Sequence, residues 1–329
     1  MSLIHKPVLL EEVVGILNPM DKRAYLDCTV GGAGHALSIL ESSKPDGYLI
    51  GIDTDKIALK YSKKRLSKYE GRFVLVNDRY ENLSFILENL HIEKVDGILI
   101  DLGLSSLQID DPDRGFSFKK NADLDMRFSK NQHLKASDIV NDLPYDELQN
   151  IIHLYGEERW SKRIAKNIVI KRSQARIEST LELSEIIKGS IPRKFWSNRI
   201  DVSTKTFQAI RIAVNHELEK LDETIRAACD RLNSNGRLIV ISYHSLEDRI
   251  VKNIFKELST DCICPPQIPT CICKHEKKAK ILTFDKRIRR SKNEKSIKRG
   301  KQKFLTPEQD EIKNNPRSRS AKLRALERI

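Results

Sequence analysis

Short runs of Ile, Leu and Val alternate with longer stretches whose apolar residues recur at helical spacing, from the first residues to about residue 101. The runs around Tyr25-Leu-Asp-Cys-Thr-Val30, Tyr48-Leu-Ile-Gly-Ile52, Phe73-Val-Leu-Val-Asn77 and Val95-Asp-Gly-Ile-Leu-Ile-Asp101 are too short for amphipathic helices. They predict strands over about 25–30, 48–53, 72–77 and 95–101. Between them the spacing predicts helices over about 34–42, 55–68 and 80–90. An earlier helix lies within 5–17, where Leu9, Val13, Ile16 and Leu17 share one side. Apolar strands separated by helices predict a parallel sheet buried on both faces.

The pattern changes after residue 101. From about 110 to 200 no convincing strand occurs, and the spacing predicts helices at 136–142, 144–153, 157–173, 180–188 and 191–196. A long helix over about 205–233, a strand at Gly236–Ser242, a helix at 246–258 and short strands at Ile281–Phe284 and Ala321–Glu327 follow. The expected organisation is a sheet domain in two parts, 1–109 and 205–329, with an inserted helical domain at 110–204. No internal repeat is visible.

Two features turn a fold prediction into a ligand prediction. The first strand runs into Gly31-Gly32-Ala33-Gly34-His35, whose glycines are expected to take positive φ and bring the backbone close to a ligand. The helix that follows offers its first N–H groups to the same place. The second strand ends at Asp53 and Asp55, where a carboxylate in a βαβ unit holds a ribose. A tight turn without a ligand explains the glycines but not Asp53 at that distance. A dinucleotide fingerprint needs a third glycine, which Gly32-Ala33-Gly34-His35-Ala36-Leu37 lacks. Asp27 beside the loop repels a pyrophosphate and suits a ligand with an amino group and a sulfonium. S-adenosylmethionine (SAM) therefore fits better than NAD.

Composition narrows the class. The 329 residues allow one large domain or two ordinary ones, and 39% hydrophobic content supports a core. With 32% charged residues, a mean hydropathy of −0.47 and no run of about 18 apolar residues, an integral membrane protein is excluded. The first residues, MSLIHKPVLLEEVV, do not read as a signal peptide, so the expected compartment is the cytoplasm. From Lys274 onward the chain holds 20 Lys/Arg against 7 Asp/Glu, a surplus equal to the whole chain's net +13. A basic segment on a balanced body is the footprint of a polyanion, RNA or DNA, or else a solvated tail. A second basic row, Arg159, Lys162, Arg163, Lys166, Lys171 and Arg172, is either a phosphate-binding face or a solvated one. Cys28 and Cys229 read as core residues. Cys262-Ile-Cys264 and Cys271-Ile-Cys273 flank a proline-rich turn and can give a Cys₄ zinc site, although C-x₂-C is the usual knuckle spacing. Reduced cysteines or a labile disulfide are the alternatives.

Several phrases along the chain together resemble one family. They are His5-Lys-Pro-Val-Leu9, Asp27-Cys-Thr-Val-Gly-Gly-Ala-Gly-His35, Asp101-Leu-Gly-Leu-Ser-Ser106, Asp113-Arg-Gly-Phe-Ser-Phe118 and Asp123-Leu-Asp-Met-Arg127. Tyr155-Gly-Glu-Glu-Arg159, Thr206-Phe-Gln-Ala-Ile-Arg211, Ser242-Tyr-His-Ser-Leu-Glu-Asp-Arg249 and Asn315-Pro-Arg-Ser-Arg-Ser-Ala-Lys-Leu-Arg324 complete the set. Nearly end to end, the chain is similar to the RsmH (MraW) family of SAM-dependent 16S ribosomal RNA cytosine-N4 methyltransferases.

The resemblance implies a class I SAM-dependent methyltransferase fold: α/β, Rossmann-like, with a mostly parallel seven-stranded sheet and an inserted all-helical substrate domain. It implies methylation of N4 of cytosine 1402 of 16S rRNA within the small ribosomal subunit; a monomer and a homodimer are both open. By matching positions it implies SAM contacts from Ala33, Gly34, His35, Asp53, Tyr80, Asp101 and Gln108. Tyr80 stands where the family typically has Phe, and Ala33 where relatives can carry a glycine. The cysteine cluster is not universal in the family, so the resemblance leaves zinc open.

Cytosine N4 is a poor nucleophile because its lone pair is delocalised, so the site needs a hydrogen-bond acceptor beside the methyl group and close alignment. Asp101 and Ser105 end the central strand, where open α/β sheets place their chemistry, and Tyr243 and His244 end the next. His244 is either catalytic or a turn residue bonded to Glu247 or Asp248. There is no Pro-Cys-Gln triplet for a C5-cytosine nucleophile, and no Asp/Asn/Ser-Pro-Pro-Tyr/Phe motif for gripping an amine. For the flipped base and its flanks, Arg114, Phe116, Phe118, Arg127 and Arg159 are the expected RNA contacts; the two phenylalanines are equally explained as core.

Overall fold

The strand segments are apolar on both faces because both faces are covered. The computed structural model describes residues 7–104, 111, 114–118, 120–197, 200–265, 267, 270–285 and 301–329. Seven strands form one sheet: β1 (Ala24–Asp27), β2 (Tyr48–Asp53), β3 (Phe73–Asn77), β4 (Val95–Asp101), β5 (Leu232–Ser242), β6 (Ala279–Ile281) and β7 (Lys322–Arg328). Their order is β3-β2-β1-β4-β5-β7-β6, parallel from β3 to β5, with β7 antiparallel to both neighbours. Leu26 pairs with Ile50 on one side and Ile98 on the other, and all three are fully buried. Helices α1 (Leu10–Leu17), α2 (Gly34–Ser42), α3 (Lys56–Arg65) and α4 (Leu83–Asn89) belong to this unit. The core joins Val13, Leu17, Ile39 and Leu40 to Leu49, Leu99, Ile239 and Leu323. Strand order reverses between β1 and β4, and at such a switch point the carboxyl ends leave a crevice for a ligand.

The second unit spans Leu104–Glu219. It contains α5 (Ala136–Asp142), α6 (Tyr145–Gly156), α7 (Ser161–Arg172), α8 (Thr180–Ser190) and α9 (Thr204–Asn215). Leu148, Ile152, Ile164, Ile168, Leu183, Ile187, Phe207, Ile210 and Val214 form its core. The periodicity over 205–233 predicts one helix, but the structure has two, α9 and α10 (Leu221–Asp230). His216 takes φ 55° and sends its N–H back to Ile212 O, which stops α9. Arg211 forks onto both oxygens of Glu217 at 2.8 Å, which holds the turn. Because α9 buries Phe207 and Val214 in the helical core, that unit reaches Glu219 rather than 204.

Two differences concern the last third of the chain. The strand expected at 281–284 is two pieces: β6, and a separate ribbon pairing Phe284–Asp285 with Lys301–Gln302. The carboxyl end of the basic segment is not a tail. In α11 (Ser245–Leu258), Asp248 accepts from Arg324 Nε at 2.8 Å and from Lys322 Nζ at 2.9 Å, so two cations of β7 are fastened to that helix. The segment's most basic stretch, 286–300, lies outside the described residues.

Candidate active site

Four carboxylates come from the ends of β1, β2, β4 and the start of α11. Asp27, only 1% exposed, accepts from Thr29 N at 3.1 Å. The Thr29 hydroxyl in turn accepts from Asp101 N at 2.8 Å, tying the ends of β1 and β4. Asp101 Oδ1 accepts from the Tyr243 hydroxyl at 2.8 Å. Gly103 turns the chain away at φ 98°, and a Cβ there would touch the Tyr243 ring at 3.4 Å. Asp53 accepts from Gly31 N and Asp55 N, each at 2.8 Å, one on each oxygen. A carboxylate has about four acceptor positions, so acceptor capacity remains for a ribose hydroxyl.

The glycine loop is held from beneath. Ser62 Oγ donates to Gly31 O at 2.7 Å and an Arg65 guanidinium N–H to Gly32 O at 2.6 Å. Positive φ falls on Gly31 (48°) and on Ala33 (57°), not on Gly32 or Gly34 as expected. A left-handed alanine costs about 1–2 kcal/mol, so the surrounding bonds hold a strained turn. Gly34 answers a different need: a Cβ there would lie 2.8 Å from the Pro7 ring. No side chain caps α2.

Burial dominates the electrostatics. It pushes the Asp27 carboxyl up to about 7, with the Asp53 charge adding and the Thr29 N–H opposing. It pushes Asp101 to about 7, with the Tyr243 hydroxyl opposing and Asp27 and Glu247 adding. Asp53 rises to about 6, against bonds from the Asp55 and Gly31 N–H groups. The Tyr243 phenol is held well above its ordinary value by burial and by Asp101, so it remains a donor. The Cys28 thiol is likewise raised by burial and stays protonated. Asp101 keeps 19% of its side chain accessible, so a ligand can reach it. Carboxylates crowded until protonation becomes easier need a cation. The sulfonium and ammonium of SAM supply that charge, and its ribose suits Asp53, so the residues present fit this cofactor.

The other expected positions divide. His35 is buried; its Nε2 donates to Val8 O at 3.0 Å, and Nδ1 lies 3.9 Å from Asp101 Oδ2, an ion pair only when the ring is protonated. Tyr80 opens a 3₁₀ turn just after β3, half-buried. Ser105 and Gln108 lie outside the described residues. His244 is the N-cap of α11: Nδ1 accepts from Glu247 N at 3.4 Å while Glu247 returns a carboxylate to the cap N–H groups. Its Nε2 is 3.1 Å from Glu247 Oε1 but misaligned for a hydrogen bond. The turn-shaping role accounts for His244, and Tyr243 is the residue that touches Asp101. Thr29 and Ser62 are not singled out by the sequence reading; Thr29's only signal is its place in the Asp27-Cys-Thr phrase.

In the helical unit two expected RNA contacts turn inward. Arg114 is 4% exposed and donates to Phe128 O at 3.0 Å. Arg127 forks onto Asp125 with two bonds of 2.7 Å and bonds Gln132 O. Both are structural clamps, because their donors are spent on the protein. Phe116 packs on the helical core beside Phe128, and Phe118 stacks edge-on to Phe207 at 5.0 Å. Arg172 caps carbonyls of Val140 and Leu143. Arg159, Lys162, Arg163, Lys166 and Lys171 remain exposed. The Arg159 guanidinium lies over the rings of Trp160 (5.2 Å) and Phe195 (4.3 Å), and Phe195 is 44% exposed.

The sheet order, the glycine loop ending β1 and the acid ending β2 define a class I SAM-dependent methyltransferase fold. The chain belongs to the MraW methylase family, whose profile matches residues 2–329. Among its relatives, the ribosomal RNA small subunit methyltransferase H of Pelobacter propionicus is 45% identical over 326 residues, covering 99% of this chain and 98% of its own. The proteins of the same name from Halothermothrix orenii (45%, covering 99% of each) and Clostridium botulinum strain Kyoto (46%, covering 100% of each) are similar to the same degree. A solved rRNA methylase from Streptococcus thermophilus, 12% identical and covering 100% of this chain and 99% of its own, superposes with a TM-score of 0.40, too loosely to carry argument. Among the described residues no helix is long and apolar enough to cross a membrane.

Proposed function

We propose that this chain methylates 16S rRNA of the small ribosomal subunit in the cytoplasm, at the exocyclic N4 of a cytosine in the decoding region, cytosine 1402 by family position. The names of its relatives support the rRNA substrate. The observation that carries the N4 chemistry is Asp101, an enclosed carboxylate bonded to Tyr243 at the carboxyl end of β4. SAM, when bound, supplies an electrophilic methyl group on a sulfonium with a neutral thioether leaving group. Asp53 would accept its ribose hydroxyls, Tyr80 would stack on its adenine, and the loop at Ala33 and Gly34 would hold its methionine part.

Asp101 accepts an N–H of the cytosine amino group, which returns electron density to N4. As the N–C bond forms, that proton passes to the carboxylate. Burial raises the Asp101 carboxyl to about 7 in the chain without cofactor, which makes its carboxylate a stronger proton acceptor than an exposed one. Tyr243 stays protonated and fixes Asp101 by its donated bond. C5 transfer would instead require a thiolate, and the Cys28 thiol beside the loop is held protonated.

The test uses small subunits from cells lacking this protein, incubated with it and methyl-labelled SAM, then digested to nucleosides. Label in N4-methylcytidine is the expected result. Asp101→Asn should cut the rate by about 10²–10⁴-fold at saturating SAM, beyond any loss of SAM affinity that removing one carboxylate of the cluster causes. Label in another nucleoside would overturn the N4 assignment. No label, despite SAM binding, would favour a non-catalytic assembly factor.

A further inference from the structure

The connection from α11 to β6 holds a feature that methyl transfer does not use. Its base is fastened by Lys278 N donating to Leu258 O at 2.9 Å and by the His275 ring donating to Glu257 O at 3.0 Å. Its outer end has no core: Cys262 and Cys271 are exposed, and Ile263 and Ile272 are 50% and 70% exposed. Yet its four cysteines converge, with all four sulfurs within 4.8 Å of one another. Apolar burial does not bring them together, so another attraction must.

The spacing of the sulfurs identifies it. Cys271 and Cys273 Sγ are 3.5 Å apart, and Cys273 and Cys262 Sγ are 3.8 Å apart. Zinc–thiolate bonds of about 2.3 Å at tetrahedral angles put sulfurs about 3.8 Å apart. A disulfide would select one pair at about 2.05 Å, and sulfurs this close leave no room for an iron–sulfur cluster. The two C-x-C segments also serve each other symmetrically. Ile263 N, after the first cysteine of one pair, donates to Cys273 Sγ at 3.5 Å. Ile272 N, after the first cysteine of the other, donates to Cys264 Sγ at 3.5 Å. Cys264 N also donates to Cys262 Sγ at 3.4 Å. N–H bonds to sulfur orient thiolate ligands and soften their charge. In each C-x-C pair the intervening Ile is exposed while both sulfurs join the cluster.

We propose that Cys262, Cys264, Cys271 and Cys273 form a closed tetrathiolate zinc site that pins the outer end of this connection. Four protein ligands leave no open position, so the site is structural rather than catalytic. It is independent of the nucleotide methylated.

The full chain, expressed with zinc in the medium and purified without oxygen or chelator, should carry one zinc ion per chain. Its cobalt(II)-exchanged form should show the thiolate-to-cobalt charge transfer and intense d–d bands of a tetrahedral sulfur site, a readout that needs no variant. Cys271→His should keep the metal, because imidazole can replace one thiolate. Cys264→Ser with Cys273→Ser should weaken it at least 100-fold while SAM affinity stays within about twofold. Wild-type chain with four freely reactive thiols and no metal would overturn the proposal. So would iron in place of zinc, a disulfide in the anaerobic protein, or a double variant that retains zinc.

Discussion

Asp27, Asp53 and Asp101 share a single physical condition: each loses hydration on folding and each feels another carboxylate. For Asp27 and Asp101 the folded value, about 7, lies far above the unfolded value near 3.8. The folded chain therefore binds more protons between these limits. Stability without cofactor falls as pH rises from about 4 to 7, by an amount on the order of a few kcal/mol. A bound cation reverses the balance. SAM affinity should increase roughly 10-fold from pH 5.5 to 7.5, and the SAM-induced rise in Tm should grow over the same range. S-adenosylhomocysteine, lacking the sulfonium charge, should show a weaker trend. Isothermal titration at several pH values reads this directly, and a flat SAM profile would contradict the carboxylate cluster as the sulfonium's counter-charge.

Elements were legible wherever one periodicity ran without competition. Helix α2 at 34–42 and strands β2 and β4 stand where the apolar pattern puts them. The pattern over 205–233 misleads because apolar spacing continues across His216, whose left-handed backbone no periodicity signals. Charge misleads in the same way: Arg114, Arg127 and Arg324 look like cations for a polyanion, but their partners Phe128 O, Asp125 and Asp248 are specified only by the fold. The Asp248 clamp carries its own prediction. Arg324 is buried and Asp248 is held below the usual carboxylate range despite its burial, because both cations favour its charge. Asp248→Asn should destabilise the sheet unit by about 3 kcal/mol in chemical denaturation, since it leaves Arg324 without its counter-charge. In the wild-type chain this contribution is present at neutral pH and lost as pH falls through the folded value of Asp248.

At the scale of the molecule, the chain forms two units. The sheet unit gathers the carboxylates and the glycine loop; the helical unit carries the exposed row Arg159, Lys162, Arg163 and Lys166 beside Trp160 and Phe195. The meeting of Asp53 with the glycine loop was readable because they lie on successive elements at fixed spacing. The contact at Asp101 was less so: Tyr243 meets it through sheet pairing of β4 with β5, across 142 positions of chain that no local motif announces. For the helical unit, Phe195→Ala should weaken small-subunit binding by about 10-fold, the loss of one stacking platform, and leave SAM affinity unchanged. Filter binding with and without SAM checks it; equal affinity for both proteins would remove this patch from the RNA surface.

The claim that Asp101 takes the N4 proton meets its most direct test in the pH profile of single-turnover methylation, for the wild-type chain and Tyr243→Phe. The wild-type rate should rise as the carboxylate ionises and level off, with a midpoint below the value of about 7 that Asp101 has without the cofactor's cation. Removing the Tyr243 hydroxyl removes a bond that lowers the Asp101 value, so the midpoint should move to higher pH in the variant. A wild-type rate independent of pH from 5.5 to 8.5, or an unmoved midpoint in Tyr243→Phe, would contradict the account.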